Sequence, residues 1–75
     1  MNAGKAKVGD MVKFSGNYVI ESSGISRIML DTIERTGIII HKDDKHIKVF
    51  SLNETCVLPI KNNGAVIMYV VSNAE

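Results

Sequence analysis

The sequence has few cysteine, proline and tryptophan residues. Its 75 residues include one cysteine, one proline and no tryptophan. One cysteine cannot form an intramolecular disulfide, which excludes a disulfide-stapled miniprotein. No apolar run reaches the roughly 20 residues that cross a bilayer, and the charges of residues 1–7 are not followed by an apolar segment. We therefore expect a cytoplasmic, soluble domain with no signal peptide and no contact with a membrane.

The chain also lacks an excess of charge of either sign. Nine basic and eight acidic residues leave a formal net charge of +1, whereas dedicated nucleic-acid binders usually carry a strong basic excess. With 45% hydrophobic residues, the chain is too apolar for a disordered tail. A chain this short buries only about 60% of the surface that it exposes when unfolded, so its core is thin. The composition favours one small folded domain.

The apolar residues that are present are mostly β-branched. Ten isoleucines, eight valines and three threonines make 21 β-branched residues, against only three leucines. β-branched side chains lose rotamer freedom in helices and pack well on a pleated sheet. The residue types alone therefore predict a mostly-β fold.

Turn residues divide the chain into short strands. The clearest pair is a β-hairpin of residues 37–41 and 46–50 around a charged loop. In its second arm Ile47 and Val49 alternate with more polar neighbours, the pattern of a half-buried strand. Further strands are expected at residues 11–14, 55–58 and 65–71, with a turn at 61–64. Residues 18–20 form either a short strand of their own or a continuation of the first strand. Five such strands predict a small barrel, because closure hides the edges of the sheet.

Residues 25–36 leave two interpretations open. Ser26 is a suitable cap for a short helix that ends before Gly37, with Met29 and Ile33 on one face. The three consecutive apolar residues 28–30 fit a strand or a folded-over loop equally well.

Three segments are expected along the chain. Residues 1–7 are small, polar and basic and form a flexible tail, residues 8–72 form the single domain, and residues 73–75 form a flexible end.

The pattern of strands and turns resembles a known family of small barrels. Residues 8–14, Val-Gly-Asp-Met-Val-Lys-Phe, resemble the V-G-D-x-V entrance of SH3-like barrels, and residues 36–50 resemble the hairpin that follows it. The Leu58-Pro59-Ile60 turn before the last strand also fits. The resemblance implies a five-stranded SH3-like barrel with a long first loop at residues 18–36. Few of the aromatic residues that line peptide grooves in SH3 domains are present, which argues against proline-rich ligands.

Small stand-alone proteins of this pattern are common among bacteriophage gene products. The resemblance therefore implies a non-enzymatic accessory protein of viral type that binds a viral or host protein. Such a protein would work in the cytoplasm of the host cell and would need no cofactor.

Side chains that could carry chemistry are few. His41 and His46 flank the hairpin loop and Cys56 lies on the next strand, so the three could approach a metal ion. No fourth ligand is evident, the spacing matches no zinc motif, and a lone cysteine is more often a packed core thiol. Asp43 and Asp44 sit between lysines at a turn. We therefore predict neither a metal site nor an enzyme.

A basic hairpin supports nucleic-acid binding as the alternative function. Lysines lie near the N-terminus and along the hairpin, where Phe50 shares the alternating face of Lys48. Basic side chains beside an aromatic ring can hold phosphates and stack on bases. The candidate residues for this role are Lys42, Lys45, His46, Lys48 and Phe50.

The last strand supports protein binding instead. Residues 66–71 are apolar on both faces, whereas a small barrel has a core on one side only. The second face is therefore covered by residues 18–36 or buried against another chain, since a bare apolar edge aggregates. The candidate partner-binding residues are Met68, Tyr69 and Val71, and the partner is a protein, with self-association into a homo-oligomer.

Overall fold

The structure, a computed structural model, describes residues 6–60 and 66–73 of the chain. These residues form five strands: β1 (Met11–Ser22), β2 (Ile25–Lys42), β3 (His46–Ser51), β4 (Glu54–Pro59) and β5 (Val66–Ser72). Strands make up most of the described residues, which include no helix. The predicted mostly-β class is confirmed.

The strands close into a small barrel. Their order in the sheet is β2-β3-β4-β1-β5, and an additional pairing of β2 with β1 closes the ring formed by the first four. The arrangement is a closed four-stranded barrel with added strands and is compatible with an SH3-like barrel.

The hairpin of residues 37–41 and 46–50 is confirmed. Ile38 pairs with Phe50 and Ile39 with Val49, and β3 then pairs with β4 across a two-residue turn. In that turn Leu52 and Asn53 both take left-handed φ angles, 52° and 62°. Two consecutive residues of this kind make a type I′ turn, whose twist matches that of the strands it joins. The predicted turn at 61–64 lies outside the described residues.

The predicted long first loop is itself a β-hairpin, which we call the first hairpin because it comes first in the chain. Residues 18–36 belong to β1 and β2, which run antiparallel around the turn at Ser23 and Gly24. Of the two interpretations of residues 25–36, the structure has the strand and not the short helix, and the long first loop at residues 18–36 takes the form of this hairpin. Cross-strand pairs explain the result, because Ile28 faces Val19 and Met29 faces Tyr18, and β-branched and aromatic pairs stabilise sheets. Strand β1 continues through Gly16, whose φ is 118°. The register of β1 with β2 shifts on both sides of this glycine.

The barrel encloses one apolar core. Phe14 and Tyr18 meet edge to face in it, with ring centroids 5.2 Å apart. Ala6 is buried in the same core, and the backbone N–H of Lys7 donates to Asp10 Oδ2 at 3.0 Å. The expected tail at residues 1–7 is thus part of the fold at its last two residues, and residues 1–5 lie outside the described part.

The buried hydroxyl of Tyr18 is expected to lower the stability of this core. Its hydroxyl is buried and has no hydrogen-bond partner among the described residues, and a buried polar group without a partner is destabilising. Tyr18→Phe keeps the ring and removes the hydroxyl, so we expect the free energy of unfolding to rise by about 1 kcal/mol. Urea unfolding followed by circular dichroism measures it. A fall of that size would show that the hydroxyl has a partner.

Candidate interaction surface

The last strand divides its residues between the core and the surface. Met68 is only 2% exposed and packs in the core, so the prediction that it faces a partner does not fit this structure. Its register explains the difference, because Met68 lies opposite the buried Phe14. Tyr69 and Val71 point the other way and are exposed, together with Ile67. The binding role of Tyr69 and Val71 stays a prediction.

Residues 18–36 touch this outer face through a hydrogen bond. The Tyr69 hydroxyl donates to Glu34 Oε2 at 2.7 Å. That hydrogen bond to a carboxylate is the main reason why the pKa of Tyr69 is raised above its ordinary value. Ile67, Tyr69 and Val71 nevertheless remain between 46% and 62% exposed. The outer face of β5 is therefore left open by the first hairpin.

An apolar stripe crosses the neighbouring strands on the outside of the barrel. Met11 of β1 pairs with Ile38 of β2, which in turn pairs with Phe50 of β3. All three side chains are more than a third exposed. Cross-strand partners point to the same face of a sheet, so the three residues form one continuous apolar surface.

A groove lies between the first hairpin and the turn that joins β3 to β4. We call it the Leu52 groove; its volume is about 480 Å³. Leu30, Ile33 and Leu52 are large apolar side chains that stand at least two-thirds exposed around it, and Ile33 reaches 86%. The groove is lined by Met29, Leu30, Ile33, Glu34, Arg35, Thr36, Ser51 and Leu52.

A small ionic network lies beside the Leu52 groove. Glu54 accepts hydrogen bonds from both Arg27 and Arg35, and the Arg35 contact is 3.3 Å long. Arg35 Nη1 also lies 3.8 Å from the sulfur of Cys56. Burial raises the pKa of the Cys56 thiol above its ordinary value, and Arg35 acts in the opposite direction. The thiol is therefore kept protonated, which makes it a weak nucleophile at neutral pH.

Leu52 is the most unusual residue of the groove. It is 73% exposed, and it occupies a left-handed position where asparagine and glycine are preferred. A left-handed conformation costs a residue of this type about 1–2 kcal/mol. The chain thus keeps a large apolar side chain at a position where folding alone favours another residue.

Replacing this leucine should make the protein more stable. We expect Leu52→Asn to raise the free energy of unfolding by about 1 kcal/mol, because asparagine tolerates the left-handed region and leucine gains nothing from burial here. Urea unfolding measures the change. Asn53→Ala in the same turn is the matched control and should lower stability by about 1 kcal/mol. A destabilised Leu52→Asn would show that Leu52 packs against the barrel.

The basic hairpin places only part of its predicted set on one face. His46, Lys48 and Phe50 alternate with buried residues and share the outer face of β3. Lys48 Nζ lies 4.0 Å from Glu21 Oε1 across the sheet. Lys42 turns away, since its Nζ donates to the carbonyl oxygen of Ala6 at 2.7 Å.

Lys45 lies in the loop of the basic hairpin. Its backbone N–H and that of His46 donate to Asp43 Oδ1, at 2.8 and 2.7 Å. These two hydrogen bonds lower the pKa of Asp43 below its ordinary value. Asp43 therefore organises the loop, and Lys45 and His46 reach solvent on either side of it.

The two histidines and the cysteine do not converge. His41 pairs with Lys48 and lies 3.7 Å from Asp43, whereas His46 pairs with Pro59. Cys56 is buried between Ile20 and Val49. Among residues 6–60 and 66–73, no group of three or more histidine, cysteine, aspartate or glutamate side chains is placed to hold a metal ion.

Sequence reasoning missed the most exposed apolar residues. Ile28, Leu30 and Ile33 fall in the segment whose helix and strand interpretations could not be separated. Leu52 lies in residues 51–54, the turn between the predicted hairpin and the strand predicted at residues 55–58. The strands predicted at residues 46–50 and 55–58 leave four residues between them, so the two-residue turn, which requires left-handed residues and makes a leucine there conspicuous, was not evident.

Comparison with family models, with curated proteins and with solved structures finds no match for this chain. The part of the chain that the structure describes has no helix long and apolar enough to cross a membrane.

Proposed function

We propose that this protein is a non-enzymatic interaction module that binds another protein chain through its exposed apolar surface and that also self-associates. The surface comprises the Leu52 groove, the stripe of Met11, Ile38 and Phe50, and the outer face of β5. Large apolar surfaces on small domains usually mark interaction sites. A viral or host protein in the cytoplasm, as the resemblance implies, is the partner that we propose.

The exposed Leu52 is the observation that supports this function best. A side chain that costs stability and gains no burial is explained if it gains burial on binding. Ile33 and Leu30 stand beside it, so one partner segment could cover all three. Apolar anchors that enter a partner together account for most of the affinity of many interfaces.

Site-specific photo-crosslinking in cells that express the protein tests the function. A benzoylphenylalanine at position 52 is expected to cross-link to a protein chain, which then binds the purified wild-type protein and binds Leu52→Asn at least about tenfold more weakly. The same label at position 44, in the turn at the other end of β3, is the control. Equal cross-linking at the two positions, or binding that Leu52→Asn leaves unchanged, would contradict the proposal.

Nucleic-acid binding is the second candidate, favoured by the shared face of His46, Lys48 and Phe50 on β3. Against it, Glu21 lies beside Lys48 and the net charge is only +1. Fluorescence anisotropy with a single-stranded oligonucleotide separates the two functions. Binding at low salt that falls steeply as salt rises, and that Lys48→Glu removes, would favour this candidate. No binding at low salt would eliminate it.

A further inference from the structure

The ionic network beside the Leu52 groove has more positive than negative charge. Arg27 and Arg35 both donate to Glu54. In the described part of the chain, the side-chain hydrogen bonds of the two arginines go to this carboxylate and to the sulfur of Cys56. One carboxylate thus faces two guanidinium groups, which leaves one positive charge of the network uncompensated.

Neither arginine has the paired contact that suits a guanidinium. Its N–H groups form a planar fork that matches both oxygens of a single carboxylate. Here Glu54 gives Oε2 to Arg27 and Oε1 to Arg35. Each arginine therefore keeps N–H groups that can bind a second carboxylate.

Arg35 presents this charge to the Leu52 groove. It lines the groove, and its side chain is 15% exposed. Because a partly buried cation is poorly hydrated, an anion that reaches it binds more strongly than on an open surface. Although burial opposes its charge, the pKa of Arg35 is raised above its ordinary value by Tyr18, Glu54 and Cys56. The guanidinium therefore stays charged.

Glu34 also lines the groove, but its carboxylate is directed elsewhere. It accepts the hydrogen bond of the Tyr69 hydroxyl on the outer face of β5. Arg35 instead contacts the residues of β4. The part of the groove that Arg35 lines is therefore positive, and an occupant with a negative group at this point complements it.

We propose that the partner segment bound in the Leu52 groove carries an aspartate or glutamate beside large apolar side chains, and that Arg27 and Arg35 bind its carboxylate. The inference rests on the proposed function, because it names the chemistry of the partner at that same site. Leu30, Ile33 and Leu52 would cover the apolar side chains of the segment. The charge contact would fix the position of the segment as well as strengthen its binding.

The open shape of the groove favours a protein segment over a free fatty acid. Leu30, Ile33 and Leu52 are at least two-thirds exposed, whereas a site for a small molecule buries about 70–90% of its ligand. A protein segment covers such a groove from outside and excludes water from around the apolar anchors.

Two variants that break the same ion pair should change binding in opposite directions. Glu54→Gln frees both arginines and should strengthen binding of an acidic segment at least about threefold, whereas Arg27→Gln should weaken it at least about threefold. If the ion pair only supported the structure, both variants would weaken binding. Urea unfolding confirms that each variant is folded.

The probe is a peptide that the wild-type protein selects from a displayed library of random sequences, after removal of peptides that also bind Leu52→Asn. Selected peptides are expected to carry aspartate or glutamate next to large apolar residues. A synthetic copy is titrated by fluorescence anisotropy beside a matched peptide in which asparagine or glutamine replaces the acid. The matched peptide should bind the wild type at least about tenfold more weakly, and Glu54→Gln should not strengthen its binding.

The outcomes separate this inference from the proposed function. Selected peptides without an acidic residue, or a Glu54→Gln variant that binds the acidic peptide no more tightly than the wild type, would overturn the acidic segment and leave the protein-binding function intact. Calorimetric binding of decanoate, with no peptide selected, would also overturn it and would identify a free amphipathic carboxylate as the ligand. The proposed function fails on a separate result, namely that position 52 cross-links to no protein.

Discussion

Gly37→Ala is expected to destabilise the protein by about 3 kcal/mol, at the upper end of the usual cost of overpacking. A Cβ at Gly37 would lie 2.5 Å from the carbonyl oxygen of Phe50 and 2.6 Å from Val49 Cγ1. The first of these is a backbone atom, which cannot rotate away as a side chain can. Relief requires β2 and β3 to separate where Ser51 Oγ also donates to the carbonyl oxygen of Thr36, at 2.8 Å.

The matched control for this substitution is Gly24→Ala. A Cβ at Gly24 meets nothing within 4 Å, and only its φ of 78° opposes the change. We expect a loss of about 1 kcal/mol there. Urea unfolding of both variants, followed by circular dichroism, provides the comparison. Equal losses would mean that β2 and β3 do not approach closely at Gly37.

Phe14→Ala should have an even larger effect, about 3–5 kcal/mol. The side chain is fully buried, and its ring packs edge to face against Tyr18. Removing it leaves a cavity in a thin core, and domains of this size have a total stability of about 5 kcal/mol. The variant is therefore expected to be largely unfolded at room temperature, with loss of the β-sheet signal in circular dichroism.

The second phenylalanine of the chain, Phe50, is the control for Phe14→Ala. Phe50 is 46% exposed on the outer face of β3, so Phe50→Ala should cost at most about 1 kcal/mol. Its effect is expected on partner binding. If the two alanine variants lose similar stability, the assignment of the inner and outer faces of β1 and β3 is wrong.

The fold was largely predictable because its signals are local. The β-branched composition, the hairpin at residues 37–50 and the strand before Pro59 all rest on short-range patterns. Residues 25–36 were not predictable in this way. Their strand conformation depends on pairing with Tyr18, Val19 and Ile20, and both strands would have to be known before either could be assigned.

The candidate surface was less predictable than the fold. The inner and outer positions of β5 are fixed by its register with β1, in which Met68 meets Phe14 and Tyr69 meets Lys13. One residue of slip would exchange these faces, and the apolar residues at all positions 66–71 leave the alternation without a signal. The exposure of Leu52 could not be predicted for another reason. It follows from the left-handed φ of this residue at the turn, which the sequence does not specify.

Amide hydrogen exchange at two protein concentrations most directly tests whether a second chain covers the exposed surface. Backbone amides of residues 29–36, most of which line the Leu52 groove, are expected to exchange more slowly at about 1 mM than at about 10 μM, because a second copy that covers the groove protects them. Amides of β3 and β4 inside the barrel serve as the internal reference and should exchange equally at both concentrations. Identical exchange of residues 29–36 at the two concentrations would contradict self-association through the Leu52 groove.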